Sequence, residues 1–320
     1  MPYSGLYTLG FDIDSNDKIW AVGQDLRMFN GATWTYYNYQ NSAVPSAAPY
    51  YLDTRTVSIS PDGTKWVGCA EIASLDDPAI FYIAPDDVNT GKSWSFNDID
   101  TFNSPMEVSK IYACPYGNDV LAFLTLGGTG SAGLTGGFLY RYDIPNDSWK
   151  RVADGYIWPH IYDIKARGFG GDDYRYYLGT SQGIIEIPGE ELGVSYLEGN
   201  IPYIPSANFY NSSNFSNLSD NVYSLGLDEN FNLWSGSDSG KLQFWDFQTW
   251  QTFDTPGATA SVTSLAIRDN GHVFWGNYDI GPGLYHFNGV TGSLIGLSGS
   301  NQILSLGIQN RNRNQDGVLT

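Results

Sequence analysis

The sequence predicts an all-β protein, a β-propeller built from four-stranded antiparallel blades. Three observations carry this: a composition rich in aromatic residues and glycine, the lack of any long stretch with apolar positions at helical spacing, and a strand–turn–strand unit that recurs along the chain. Aromatic residues are 15% of the 320 residues, with 10 Trp and 23 Tyr beside 37 Gly. Aromatic side chains suit a pleated, half-buried surface, and glycine suits tight turns.

Each unit opens with an apolar-alternating strand, passes a polar turn, and continues into an aromatic strand that ends in Gly. A third strand and a second turn follow. The first copy, YTLGFDIDSNDKIWAVGQDLRMFNGATWTYY, starts at Tyr7, and the second opens with VSISPDGTKWVGC at Val57. Looser third and fourth copies start at Val108 (VSKIYACPYGNDVLAFL) and Ile161 (IYDIKARGFGGDDYRYYLGTSQGIIEIPG). The fifth, VYSLGLDENFNLWSGSDSGKLQFWDFQTWQTF, starts at Val222, and the sixth, VTSLAIRDNGHVFWGNYDIGPGLYHFNGVTGSL, at Val262. A seventh begins with ILSLGIQ at Ile303. Val222 to Val262 is 40 residues and Val262 to Ile303 is 41, with longer intervals earlier in the chain. About 40–50 residues and four short strands per unit is the period of propeller blades.

Blades are accordingly expected at 7–50, 51–106, 107–155, 156–198, 220–256 and 260–298, with a partial blade at 302–320 and an inserted loop at 199–219. The main expectation is a seven-bladed ring with an incomplete last blade; the alternative is six blades. An open sheet edge invites pairing with another chain. The partners expected are therefore other protein chains of a larger assembly, completing the C-terminal blade, or a longer natural chain.

Trp20, Trp66, Trp234 and Trp275 fall near corresponding places in four units, with Trp20 and Trp275 each offset by about one residue. They are assigned to the core between blades, where stacked sheets cover one another and large aromatics fill the wedge. Gly23, Gly68, Gly179, Gly236 and Gly276 close the second strand of their units. A turn conformation or a close backbone approach is the expected reason.

Asp12, Asp14 and Asn16 alternate like the opening of a calcium loop, D-x-D-x-[DN]. The template needs Gly at its sixth position and an acid at its twelfth; this chain has Asp17 and Gly23 there. In the register of the repeat, Asp14-Ser15-Asn16-Asp17 matches Pro61-Asp62-Gly63, Asp228-Glu229-Asn230 and Asp269-Asn270-Gly271, all residues that tight turns select. A hairpin turn is expected, and no metal or cofactor.

At these positions IWAVG, KWVGC and LWSGSDSGKLQFWD resemble the two-component-regulator propeller repeat, roughly D-G-x-[IL]-W-[VI]-G-T-x-x-G-[LI]-x-[RK]-[FY]; LGTSQGIIEI (178–187) is similar in its Gly-Thr-x-x-Gly portion. The resemblance covers most of Tyr7–Leu297 and is clearest in the first, second, fifth and sixth units. It implies a propeller that, in sensor proteins, lies outside the membrane ahead of a transmembrane helix and a kinase. The chain carries neither element, so a signalling role is not transferred. Such blades also occur in secreted and virion-associated proteins.

Departures from a repeat are where function concentrates. Residues 70–80 lengthen the second unit. Residues 125–137 (TLGGTGSAGLTGG) form a Gly-rich loop with neither a GK[ST] ending nor a following helix, which excludes a P-loop. Segment 199–220 mixes Asn, Ser and aromatics, with sequon-like triplets at Asn211, Asn214 and Asn217. Without a secretion signal no glycosylation is read there. The segment is either a polar loop or a contact surface for a partner chain or glycan through Tyr203, Phe209, Tyr210 and Phe215.

The charge narrows the partners further. Formal net charge is −18, with 34 acidic against 16 basic residues, which disfavours nucleic acid and anionic membrane. No apolar run is long enough to span a bilayer. The two cysteines, Cys69 and Cys114, are expected as buried thiols, and the three histidines, His160, His272 and His286, have no metal-ligand spacing. No G-x-S-x-G or H-E-x-x-H motif occurs. The expected function is a non-enzymatic scaffold or adhesion module in a virion, such as a phage tail or baseplate, or in an extracellular cell-surface assembly. The virion setting follows from the Met start without a signal peptide and the Asn/Ser/Tyr-rich composition. The alternatives are an extracellular ligand- or glycan-binding sensor propeller and a carbohydrate-active enzyme, whose separated carboxylates need no local motif.

Overall fold

The structure, a computed structural model, describes residues 8–23, 25–46, 52–70, 74–100, 106–116, 118–126, 136–152, 157–170, 173–193, 196–198, 201–203, 207–238, 240–254, 261–268, 271–277, 283–295 and 306–307. The chain divides into two compact units. One comprises Met1–His160, Leu192–Ile204 and Arg311–Thr320; the other comprises Ile161–Glu191 and Pro205–Asn310.

The first unit holds three four-stranded antiparallel sheets. They are β1 (Thr8–Ile13), β2 (Ile19–Gly23), β3 (Leu26–Phe29), β4 (Trp34–Tyr37); β5 (Thr54–Ile59), β6 (Lys65–Cys69), β7 (Pro78–Ile83), β8 (Gly91–Ser95); and β9 (Met106–Ala113), β10 (Val120–Leu126), β11 (Gly137–Asp143), β12 (Ser148–Arg151). Each runs in chain order, so every connection is a local hairpin. A short helix α1 (Phe96–Ile99) follows β8, started by a capping box between Ser95 and Asp98.

In the second unit, β13 (Ile161–Gly170), β14 (Asp173–Thr180) and β15 (Gly183–Pro188) begin the fourth sheet. The chain then makes a separate hairpin of β16 (Tyr196–Glu198) and β17 (Ile201–Tyr203), grouped with the first unit, before β18 (Asn208–Tyr210) pairs with β15. The last two sheets are β19 (Val222–Leu227), β20 (Leu233–Ser237), β21 (Lys241–Trp245), β22 (Trp250–Asp254), and β23 (Val262–Arg268), β24 (His272–Asn277), β25 (Leu284–Phe287), β26 (Gly292–Leu294).

Two expectations need correcting. Among the described residues there are six four-stranded blades, which matches the alternative and not the seven-bladed reading. Of the partial blade at 302–320, only residues 306 and 307 are described, and neither is in a strand. The segment expected as an inserted loop at 199–219 contributes Asn208–Tyr210 as the outer strand of the fourth sheet. The physical reason is that β15 needs a partner for its second edge, and the chain returns to supply one only after the β16–β17 hairpin.

One irregularity recurs in all six sheets. The pairing of the first strand with the second slips by one residue near the start of the first strand, leaving Leu9, Arg55, Ser109, Tyr162, Tyr223 and Thr263 as the extra residues. A bulge of this kind twists the strand and re-aims the side chain it carries.

The free edge of each inner strand leaves backbone groups that must find partners. In the first unit polar side chains of one blade supply them: the Asp12 carboxylate accepts from Ile59 N–H at 2.8 Å, Thr56 Oγ1 from Ile111 N–H at 3.3 Å, and Ser58 Oγ from Ala113 N–H at 3.0 Å. In the second unit Asp163 accepts from Leu225 N–H at 2.9 Å, and Ser224 donates to Val262 O at 3.2 Å. The glycines opposite these strands allow the approach. A Cβ on Gly68 would stand 2.5 Å from Val108 Cγ1, and one on Gly236 would stand 2.3 Å from Val262 Cγ1.

The four tryptophans lie in the core, with Trp20 3%, Trp66 6%, Trp234 5% and Trp275 0% exposed. Trp20, Trp66 and Trp234 hold the same register, opposite Asp12, Ser58 and Gly226. Trp275 lies opposite Leu265, one step along, so it points to the other face of its sheet. Its ring stacks on Tyr285 at 5.2 Å. Rings meet across blades: Trp66 contacts Trp149 edge-on at 6.0 Å, and Trp234 approaches Phe287 at 5.9 Å. Burying each indole contributes about 1.5–3 kcal/mol.

Candidate functional site

Every blade has two unlike ends. The connections from first to second strand are mostly short turns. The connections from second to third strand, and onward to the next blade, include the longer loops. The turn end explains the D-x-D pattern. Asp14 Oδ1 accepts from the N–H groups of Asn16 at 2.9 Å and Lys18 at 3.0 Å, and its Oδ2 accepts from Trp20 Nε1 at 3.0 Å. Asp228 repeats this toward Asn230, Asn232 and Trp234, and Ser60 Oγ takes the Trp66 Nε1 proton at 2.8 Å. Asp17, Gly63 and Phe231 adopt left-handed backbone at φ 62°, 87° and 60° to close these turns. The carboxylates are turn and indole acceptors. Among the described residues no three His, Cys, Asp or Glu side chains gather as a metal site.

The aromatic segment after β17 is built around a buried carboxylate. Alternation along β18 turns Asn208 and Tyr210 to one face and Phe209 to the other. Glu186, on β15, accepts from Arg175 at 3.1 Å and Tyr177 OH at 3.0 Å through Oε1, and from Asn208 Nδ2 at 3.0 Å and Tyr210 OH at 2.7 Å through Oε2. Burial alone would raise its pKa. The hydrogen bonds from Tyr210, Asn208 and Tyr177, with the Arg175 charge, outweigh burial and hold it below the ordinary carboxylate value. Burial and the same carboxylate push the Tyr177 and Tyr210 phenols up.

Tyr210 then packs 4.5 Å from Trp245 and 5.8 Å from Phe215, and Trp245 stacks on Trp250 at 5.1 Å. The following turn is fastened to the fifth sheet through Asn217, whose carbonyl accepts from Gln243 Nε2 at 3.4 Å and Thr252 Oγ1 at 3.3 Å.

Of the four sequence-derived contact residues, Phe209 is 47% and Phe215 36% exposed, while Tyr210 is half-buried and engaged with Glu186. Tyr203 lies in β17, and its side chain falls outside the described part. The structure brings Phe209, Tyr210 and Phe215 onto one segment. Sequence reasoning missed Glu186, the group that fixes this segment. Its signal was a lone acid inside the apolar run GIIEIP (183–188).

The loop end carries the bulged side chains. In the second unit Tyr162 and Tyr223 meet edge-on at 4.6 Å beside Asp238, which accepts from Asn221 Nδ2 at 2.8 Å and from Ser219. Burial, then Tyr223 and Asp238, push the Tyr162 phenol up to about 12. In the first unit Arg55 pairs with Asp53 at 2.8 Å and faces Glu107 at 3.9 Å.

Other candidate groups are packing residues. His160 packs edge-on against Phe123 at 5.6 Å, and burial lowers its pKa to about 4. Both cysteines are buried, and burial, aided by Asp53, pushes the Cys69 thiol well up. Of the Gly-rich loop 125–137, residues 127–135 lie outside the described residues. No described helix is long and apolar enough to cross a membrane.

No protein-family model and no curated protein matches the chain. Solved structures do, and they are β-propellers. One is the extracellular domain of the one-component-system candidate BT4673 from B. thetaiotaomicron, at 17% identity and a TM-score of 0.59, covering 95% of this chain and 36% of that one. Another is virginiamycin B lyase from Staphylococcus aureus, at 12% identity and a TM-score of 0.59, covering 91% of this chain and 85% of that one. A third is PorZ, a surface component of the type-IX secretion system of Porphyromonas gingivalis, at 17% identity and a TM-score of 0.58, covering 87% of this chain and 38% of that one. The chain thus spans little more than a third of the first and third of these, and at such identities the likeness shows the fold, a β-propeller of four-stranded antiparallel blades.

Proposed function

We propose that the chain is a non-enzymatic binding propeller of an extracellular or cell-surface assembly, and that its partner is a protein held at the Phe209–Phe215 segment. One observation carries the reading: two exposed phenyl rings stand on a segment fastened beneath by Glu186 and beside it by Asn217. Rigid aromatics of this kind lose little freedom on association and are the residue class that anchors interfaces. Proteins named as an extracellular domain and as a surface secretion component among the structural neighbours support the setting. The virion setting has no counterpart among them and is not part of the proposal.

A second reading, an enzyme, is kept because one neighbour is a lyase. A photo-crosslinking side chain placed at Phe209 or Phe215, compared with one at the exposed Val290, tests the proposal on intact cells of the source organism. Adducts to one surface protein, specific to the first two positions and lost in Glu186→Gln, are expected. Equal labelling from all three positions refutes it. Binding on a glycan array moves the partner class to carbohydrate, and turnover of a bound glycan establishes the enzyme instead.

A further inference from the structure

We propose that His272 and His286 form a two-imidazole site for a divalent transition-metal ion, with Cu(II) preferred over Zn(II). The hairpin of β24 and β25 pairs Phe274 with His286 and Val273 with Phe287. His272, two residues before Phe274, therefore shares its face and lies diagonally across from His286. The two rings present nitrogen to nitrogen: His272 Nδ1 is 2.7 Å from His286 Nε2, with ring centres 4.8 Å apart and planes 29° from parallel. Phe274 stacks on His286 at 4.6 Å and 19°, which fixes the plane of that imidazole. Both histidines are half-buried, so an ion and its remaining water ligands have access from solvent.

Ligand type selects among metals. With metal–nitrogen bonds of about 2.0–2.1 Å, two nitrogens at a right angle lie about 2.9 Å apart, and two at a tetrahedral angle about 3.3 Å. The 2.7 Å of the metal-free pair is a hydrogen-bond distance, so the rings open slightly to admit an ion. Imidazole nitrogens suit Cu(II), which heads the affinity series for such ligands.

Without metal, one hydrogen lies on the line between the two nitrogens and the other on the far nitrogen of the accepting ring. To bind metal through both facing nitrogens, the donating ring shifts its hydrogen to its own far nitrogen, so the neutral rings carry their hydrogens on His272 Nε2 and His286 Nδ1. Arg268, paired with His272 across β23 and β24, is the charged group next along this hairpin and weakens cation binding without blocking it.

The test is Cu(II) titration of the full chain, followed by electron paramagnetic resonance, with Ni(II) and Zn(II) titrated calorimetrically. His272→Gln and His286→Gln, which retain polar side chains, serve as variants, and their melting temperatures in chelator confirm folding. One Cu(II) per chain coupled to two imidazole nitrogens is expected near pH 7, with affinity falling at least about tenfold in either variant and lost toward about pH 5 as protons compete. Binding of Zn(II) as tight as Cu(II) overturns the metal preference. Unchanged Cu(II) affinity in both folded variants, or coupling to a single nitrogen in the wild type, overturns the site.

Discussion

Replacing Glu186 with Gln tests whether the buried carboxylate fastens the aromatic segment. Glu186 accepts four hydrogen bonds, from Arg175, Tyr177, Asn208 and Tyr210. A glutamine must turn its oxygen toward Arg175, which cannot accept, so its NH2 faces Asn208 Nδ2 and Tyr210 OH. Those two groups must reverse or lose their bond. Hydrogen bonds to a charged acceptor are worth about 1.5–3 kcal/mol and neutral ones about 0.5–1.5, so four weakened bonds cost about 4–6 kcal/mol before screening and desolvation are counted. Arg175 is more than a third exposed, which screens its share, and the neutral amide is cheaper to bury. The net loss is about 2–3 kcal/mol.

Urea unfolding followed by Trp emission measures it, with Trp245, 4.5 Å from Tyr210, as the local reporter. Because the folded-state pKa of Glu186 is depressed, its contribution is present above the unfolded value of about 4.3 and is lost as pH falls through the folded one. The gap between wild type and variant should therefore be full at pH 7 and close in acid. A loss under about 0.5 kcal/mol, no larger than that of an exposed control such as Glu190→Gln, refutes the fastening role.

Two further outcomes follow from the packing. In Gly236→Ala the new Cβ meets Val262 Cγ1 at 2.3 Å and Ser224 Oγ at 2.6 Å, so stability should fall by about 1–3 kcal/mol. Val262→Ala in the same chain should recover part of that loss, and strictly additive losses would show that the two blades do not meet there. His160, with its pKa lowered to about 4, contributes stability that is present above the unfolded value of about 6.5 and declines as pH falls to about 4. His160→Gln should flatten the unfolding profile over that window, and an unchanged slope would mean that another group titrates there.

The blade pattern was legible because its determinants are local. A period of two, turn residues and a terminal glycine all lie within one hairpin, as in the stretch from Phe11 to Gly23. The fourth sheet was not, because β18 joins β15 only after an intervening hairpin, and nothing local marks Asn208–Tyr210 as the return. Tryptophan faces depended on one-residue registers. Trp66 and Trp234 precede their glycine by two residues and Trp275 by one, and that single step reverses the face. Trp20 looked shifted only because Val22, not Gly23, occupies the position of Gly68 and Gly236. The His272–His286 pair was hidden for a related reason: separation along the chain does not reveal a diagonal contact until the hairpin register is known.

The negative charge also acquires a structural meaning. Read as composition, a net charge of −18 argues only against anionic partners. In the fold many carboxylates serve as acceptors for backbone N–H groups. Asp12 and Asp163 stitch one blade to the next, and Asp14 and Asp228 close turns and hold an indole. Asp87 and Asp246 close turns through Thr90 and Thr249, and those hydrogen bonds hold both below the ordinary carboxylate pKa. These are contact interactions between a charge and an amide dipole, with little reach beyond the first shell. Salt screens forces over about 10 Å at 0.1 M and affects such contacts far less. Protonating Asp87 or Asp246, whose pKa values these bonds depress, removes theirs. The fold therefore uses its acids one hydrogen bond at a time, as local acceptors for backbone N–H and indole groups.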